Sequence, residues 1–148
     1  MTERLFNSQQ IALLTEVQDR LIPAEDGMPA AGSVGGARIV EEFLRERSEL
    51  YEPVTLALAA IEKAAGNLPF LQRTLEERIE ILELAEVSDP EAFAELVRQT
   101  YNAYYTKPEI QAKLGVDGAP QPEGFQLPSF DASRLARVRT MGKLWRDA

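Results

Sequence analysis

Residues 19–29 read Asp-Arg-Leu-Ile-Pro-Ala-Glu-Asp-Gly-Met-Pro, a stretch through which no helix can continue. Pro23 and Pro29 each lack an N–H and bias the residue before them away from the α region. The segment is therefore a fixed exit, and what it ends is a strongly signalled amphipathic helix. Asn7 is placed to cap that helix, Gln10 sits at the third helical position to return the bond, and Phe6 and Ile11 are spaced as a hydrophobic staple. Ile11, Leu14, Val17 or Gln18, and Leu21 mark one face at helical spacing, whose partner must come from later in the chain.

The same punctuation recurs. After a loop through Gly32, Gly35 and Gly36, a second helix is predicted from Ile39, Val40, Phe43, Leu44 and Leu50, ending near Tyr51. Pro53 suits the first turn of a third helix through Val54, Leu58 and Ile61, closed by Gly66. Thr74 and Glu77 form a second capping box, opening a fourth helix with Leu75, Ile79, Leu82 and Leu84 on its buried side. Asp89 and Pro90 start a fifth, striped by Phe93, Leu96, Val97, Thr100, Tyr101 and Tyr104. A short helix from Pro108 to Lys113 stops at Gly115. Pro120, Pro122 and Pro128, with Gly118 and Gly124, then predict a loop or extended arm, and residues 129–145 a last helix weakened by Gly142. No sustained alternating run enriched in β-branched residues occurs. The expectation is an all-α fold: a single compact helical domain of five to seven helices over 1–115, with a Pro/Gly-rich arm and basic end over 116–148.

The chain has 148 residues without a cysteine or a histidine, which removes thiolate and imidazole chemistry. Zinc sites of Cys or His, iron–sulfur clusters, haem attachment and His-assisted nucleophiles are all excluded. Only carboxylates, Lys, Tyr, Ser and Thr remain for chemistry. The formal charge of −8 argues against a nucleic-acid binder, which needs basic density to displace counterions from phosphates. The sign is uneven: over 131–148 five bases face two acids, and before them eleven bases face twenty-two. No apolar run approaches the roughly 20 residues of a membrane span, so direct membrane insertion is not expected.

Candidate sites divide between functional and plain structural readings. Gly32, Gly35 and Gly36 before a helix invite a phosphate loop, but no strand precedes and no Lys-Ser/Thr follows, which leaves a flexible turn as the favoured reading. Glu41–Glu42 and Glu76–Glu77 are adjacent pairs that point in different directions, as solvated helix faces do. Tyr101 and Tyr104 share a face with Phe93 and Val97 and read as core, whereas Tyr105 lies on another side and is a surface contact candidate beside Pro108. Arg20 reads as a local partner of Asp19, Asp26 or nearby carbonyls, or else as a fork for a partner's carboxylate.

Three motifs together carry a resemblance: Asp19-Arg-Leu-Ile-Pro23 with Gly27-Met-Pro29, Tyr101-Asn-Ala-Tyr104-Tyr105-Thr-Lys-Pro108, and Lys113-Leu-Gly115. With them the chain resembles the small (gamma) subunit, subunit 3, of membrane-associated gluconate 2-dehydrogenases. The resemblance implies a non-catalytic chain with no cofactor of its own. Its expected partner is a large FAD-dependent oxidoreductase subunit of the glucose-methanol-choline class, acting on a sugar, sugar acid or related alcohol, with a cytochrome c subunit as a further candidate. An independent helical adaptor is the alternative, and an enzyme using a Tyr or carboxylate pair a second. Partner-contact candidates are Arg20, Pro23, Asp26, Tyr105, Phe125, Phe130 and Trp145. Such subunits commonly begin with a twin-arginine export signal. Residues 1–6 lack the apolar stretch of a secretory signal, so the expectation is a cytoplasmic chain, or a periplasmic one after signal removal or export with a partner.

Overall fold

The computed structural model describes residues 4–116, 131–136 and 140–141. The chain divides into two units, Met1–Gly118 and Ala119–Ala148. In the first, the described residues form six successive α-helices: α1 Ser8–Leu21, α2 Gly36–Glu46, α3 Tyr51–Ala65, α4 Leu75–Ser88, α5 Pro90–Tyr105 and α6 Pro108–Lys113. No strand occurs among the described residues, so the protein is all-α. In the second, the described residues hold a 3-10 turn, Ala132–Leu135, opened by the Asp131 carboxylate accepting from the Ser133 N–H at 2.9 Å. The rest of the expected arm, most of the expected last helix, and Phe125, Phe130 and Trp145 lie outside the described residues.

Local chemistry sets the helix starts. Asn7 Oδ1 accepts from the Gln9 and Gln10 N–H groups at 2.9 and 2.8 Å, while Gln10 Oε1 accepts from the Asn7 N–H at 3.0 Å. Thr74 and Glu77 do the same for α4, and Asp89 caps α5 ahead of Pro90. Each such cap is worth about 1 kcal/mol because it satisfies N–H groups that no helical turn precedes. Gly66 ends α3 with φ +76°, and Arg73 Nη2 donates to the Ala65 carbonyl there.

One core joins α1 to α5. The α3 helix packs against α4 on one side and α5 on another, and α2 fills in against α5 and α1. Leu14, Val17, Val40, Leu44, Val54, Ile61, Phe70 and Leu96 are fully buried in it. At about 1.5–3 kcal/mol for each large apolar side chain, this burial is what holds helices of 11 to 16 residues that would be marginal alone. Glu41 is a buried carboxylate within this packing: Oε1 accepts from the N–H groups of Leu5 and Phe6 at 2.6 and 3.3 Å and lies 3.1 Å from Arg45 Nη2. It straps the N-terminal segment down, and the buried Phe6 ring stacks on Tyr51 at 6.0 Å.

Several expectations need correction. α2 stops at Glu46 rather than Tyr51, and a 3-10 turn, Ser48–Leu50, leads into α3. An unbroken helix would have put Pro53 in its interior, against the carbonyl of Glu49. In α1 Leu13 joins Leu14, Val17 and Gln18 inside, while Ile11 and Leu21 stay at the margin. In α4 the buried residues are Ile81, Leu82 and Ala85, and Leu75, Ile79 and Leu84 are exposed. Arg78 sets that rotation. Its Nη2 donates to the Leu71 carbonyl at 2.7 Å, its Nε to the Phe70 carbonyl at 3.3 Å, and its Nη1 lies 2.6 Å from Glu16 Oε1. Glu41, expected on a solvated face, is buried for the reason given above.

Candidate functional site

The loop that leaves α1 is built, not slack. The Ile22 carbonyl accepts from the Ala31 N–H at 3.0 Å, closing its neck. At its tip Glu25 and Met28 exchange backbone hydrogen bonds of 3.2 and 2.8 Å around Asp26 (φ +48°) and Gly27 (φ +79°). Two consecutive left-handed residues make a type I′ turn, for which Asp-Gly is a preferred pair. On its far side Asp19 Oδ1 accepts from the N–H groups of Gly32 and Ser33 at 2.8 and 3.1 Å.

Gly32 is not the flexible turn expected of it. A Cβ there would lie 2.9 Å from Asp19 Oδ1 and closer still to the Thr15 carbonyl oxygen. At Gly36 a Cβ would come within 2.8 Å of the Ala31 carbonyl and of Gln18 Oε1. Both glycines are there so that the loop can lie against α1.

The other wall comes from the far end of the unit. Tyr104, buried near the end of α5, donates its hydroxyl to the Pro29 carbonyl at 2.7 Å, across 75 positions of sequence. Burial, reinforced by the neighbouring Tyr105, pushes that hydroxyl's pKa above its ordinary value, so it stays a donor. Ala31, Tyr104 and Ile110 form a small second core, with Ile22, Met28 and Val34 packed around it. Lys113, in the last turn of α6, donates Nζ to the Gly27 carbonyl at 3.1 Å.

Between these walls lie two adjoining hollows of about 250 and 450 Å³. The smaller is lined by Ile22, Pro23, Met28, Tyr104, Tyr105 and Leu114, with Glu25 and Asp26 at its lip. The larger runs along the turn from Ala24 to Pro29 and reaches Lys113. A separate hollow of about 240 Å³ at the start of α1 lies beside Asn7, Gln10 and Glu62, where Asn7 Oδ1 and Gln10 Oε1 serve the capping box and Glu62 Oε2 accepts from the Phe70 N–H at 3.4 Å.

Pro23, Asp26 and Tyr105 thus come together at the groove. Arg20 does not line it: its Nε lies 3.2 Å from Glu16 Oε1, which also meets Arg78, so its partner is neither Asp19 nor Asp26. Tyr101, expected in the core, is 44% exposed and stacks on Tyr105 at 5.9 Å, while Tyr104 meets Tyr105 edge-on at 5.1 Å. Met28, Leu114 and Glu25 were missed. Their signal was position alone, beside the Asp-Gly turn and the α6 stop.

Among the described residues no group of three or more carboxylates could hold a metal ion, and no helix is long and apolar enough to cross a membrane. The fold and groove define a small all-helical domain that carries an apolar hollow with an acidic lip. The chain belongs to the family Gluconate 2-dehydrogenase subunit 3, matching it over residues 8–117. That match starts with the first residue of α1 and runs just past α6, so it covers the six-helix unit and the whole groove. No curated protein and no solved structure matches the chain.

Proposed function

We propose that this chain is a non-catalytic small subunit that binds and stabilises a flavin-dependent dehydrogenase of the glucose-methanol-choline type. The substrate class of the complex is a sugar, sugar acid or related alcohol, the FAD sits in the large partner, and electrons leave through a further subunit. The observation that carries this reading is the family match over residues 8–117. It is supported by the meeting of Pro23, Tyr104, Tyr105 and Lys113, which come from the three motifs of the resemblance, at two adjoining hollows. The residue inventory adds to it, since a chain without His or Cys has few means of redox chemistry.

The test is affinity purification of the tagged chain from its native host, with mass spectrometry and an absorption spectrum of what comes with it. A stoichiometric FAD-bearing oxidoreductase is expected. That flavoprotein, produced without this chain, is expected to be less soluble or less active with an unchanged substrate preference. A stoichiometric partner that is no oxidoreductase would favour the independent adaptor, and flavin held by this chain alone would overturn the non-catalytic role.

A further inference from the structure

We propose, resting on the functional reading above, that the groove receives a segment of the partner chain presenting an arginine beside an aliphatic or aromatic side chain. The hollow itself supplies both halves of that description. Its apolar rim is left open to solvent, with Tyr105 44% and Leu114 52% exposed and Pro23 exposed beside them. Glu25 and Asp26 at the lip are exposed, and neither carboxylate has an ion-pair or hydrogen-bond partner among the described residues. Lys113, which reaches the turn, already gives its ammonium to the Gly27 carbonyl.

Two unpaired carboxylates next to an apolar hollow select for a cation carried on an apolar stem and repel anionic surfaces such as phosphates. Arginine fits better than lysine. Its planar guanidinium can fork to a carboxylate while lying against an aromatic ring, and Tyr105 stands at that edge. The lip is also pre-organised. The type I′ turn, the Tyr104 hydroxyl on the Pro29 carbonyl and the Lys113 ammonium on the Gly27 carbonyl fix the carboxylates' backbone before any partner arrives, so little ordering entropy is lost on docking.

The experiment uses the full chain in its host with a photo-crosslinking phenylalanine analogue at position 105, and at position 84 on the exposed side of α4 as a control. The partner peptide joined to position 105 is expected to contain an arginine within a few residues of an apolar side chain. The doubly neutralised variant Glu25→Gln, Asp26→Asn keeps the turn, since asparagine accepts a left-handed backbone. It is expected to melt as wild type does and to bind the purified partner about tenfold more weakly at low salt, the gap closing as salt rises. A neutral or acidic crosslinked segment, crosslinking from position 84 but not 105, or unchanged affinity of the double variant would overturn the proposal while leaving the accessory role standing. Absence of any oxidoreductase bound to the wild-type chain would overturn both.

Discussion

Gly32→Ala tests how tightly the loop must lie on α1. The new methyl would come within 2.9 Å of Asp19 Oδ1 and nearer to the Thr15 carbonyl oxygen, which is helix backbone and cannot turn aside. Two responses are open. The loop can stay and absorb the overlap, at about 1–3 kcal/mol for an overpacked site and more where the obstacle is rigid. Alternatively it can swing out and lose the two N–H bonds to the Asp19 carboxylate, at about 1.5–3 kcal/mol each. The cheaper route sets the cost, about 3 kcal/mol, which at about 3 °C per kcal/mol for a chain of this size lowers the melting temperature by about 10 °C. Gly35→Ala is the comparison. Nothing lies within 4 Å of its Cβ position, and only the left-handed φ of +78° penalises alanine there, by about 1–2 kcal/mol. Thermal and urea unfolding followed by circular dichroism should rank Gly32→Ala clearly below Gly35→Ala. Equal stabilities, or the reverse order, would refute the close approach as the reason for glycine at position 32.

Tyr104→Phe removes the bond to the Pro29 carbonyl and should cost about 1 kcal/mol. Hydrogen exchange at the Met28 and Ala31 amides should accelerate more than exchange within α3; a uniform change would show that the hydroxyl does not hold the loop. The Glu77 carboxyl is held below its ordinary pKa, first by the hydrogen bond it accepts from the Thr74 N–H and further by Arg73 beside it. A depressed folded-state pKa gives stability that is complete above the ordinary carboxylate value and is lost as pH falls through the folded one. The melting temperatures of wild type and Glu77→Gln should therefore differ at neutral pH and converge on acidification, and parallel curves would count against the capping box as the cause.

What could be read in the chain was whatever a few neighbouring residues decide. Asn7 with Gln10, Thr74 with Glu77, Pro90 behind Asp89, and Gly66 act within one helical turn, and all of them do in the structure what their chemistry implies. The buried side of α4 was not legible, because apolar residues occur all round that helix. What turns it is Arg78 reaching Phe70, Leu71 and Glu16, a set of contacts that helical periodicity does not encode. Glu41 was misplaced for a related reason: the N–H groups that satisfy it belong to Leu5 and Phe6, more than thirty residues away. Tyr101 and Tyr104 look equivalent in a helical stripe, and only the loop delivered to Tyr104 by the far end of α1 distinguishes them. The groove was therefore visible in its parts, Pro23, Asp26 and Tyr105, and invisible as a place.

The ties that shape this groove run against the direction of synthesis. Its acidic turn leaves the ribosome early, but Tyr104 and Lys113, which hold Pro29 and Gly27, follow some 75 and 86 residues later. A nascent or prematurely ended chain lacks the second wall, and the Asp26–Gly27 turn then has nothing behind it. Competence to dock is in this way deferred until the helical unit is nearly complete. On the docking proposed above, the surface a partner would read is whole only in a chain that has reached Lys113.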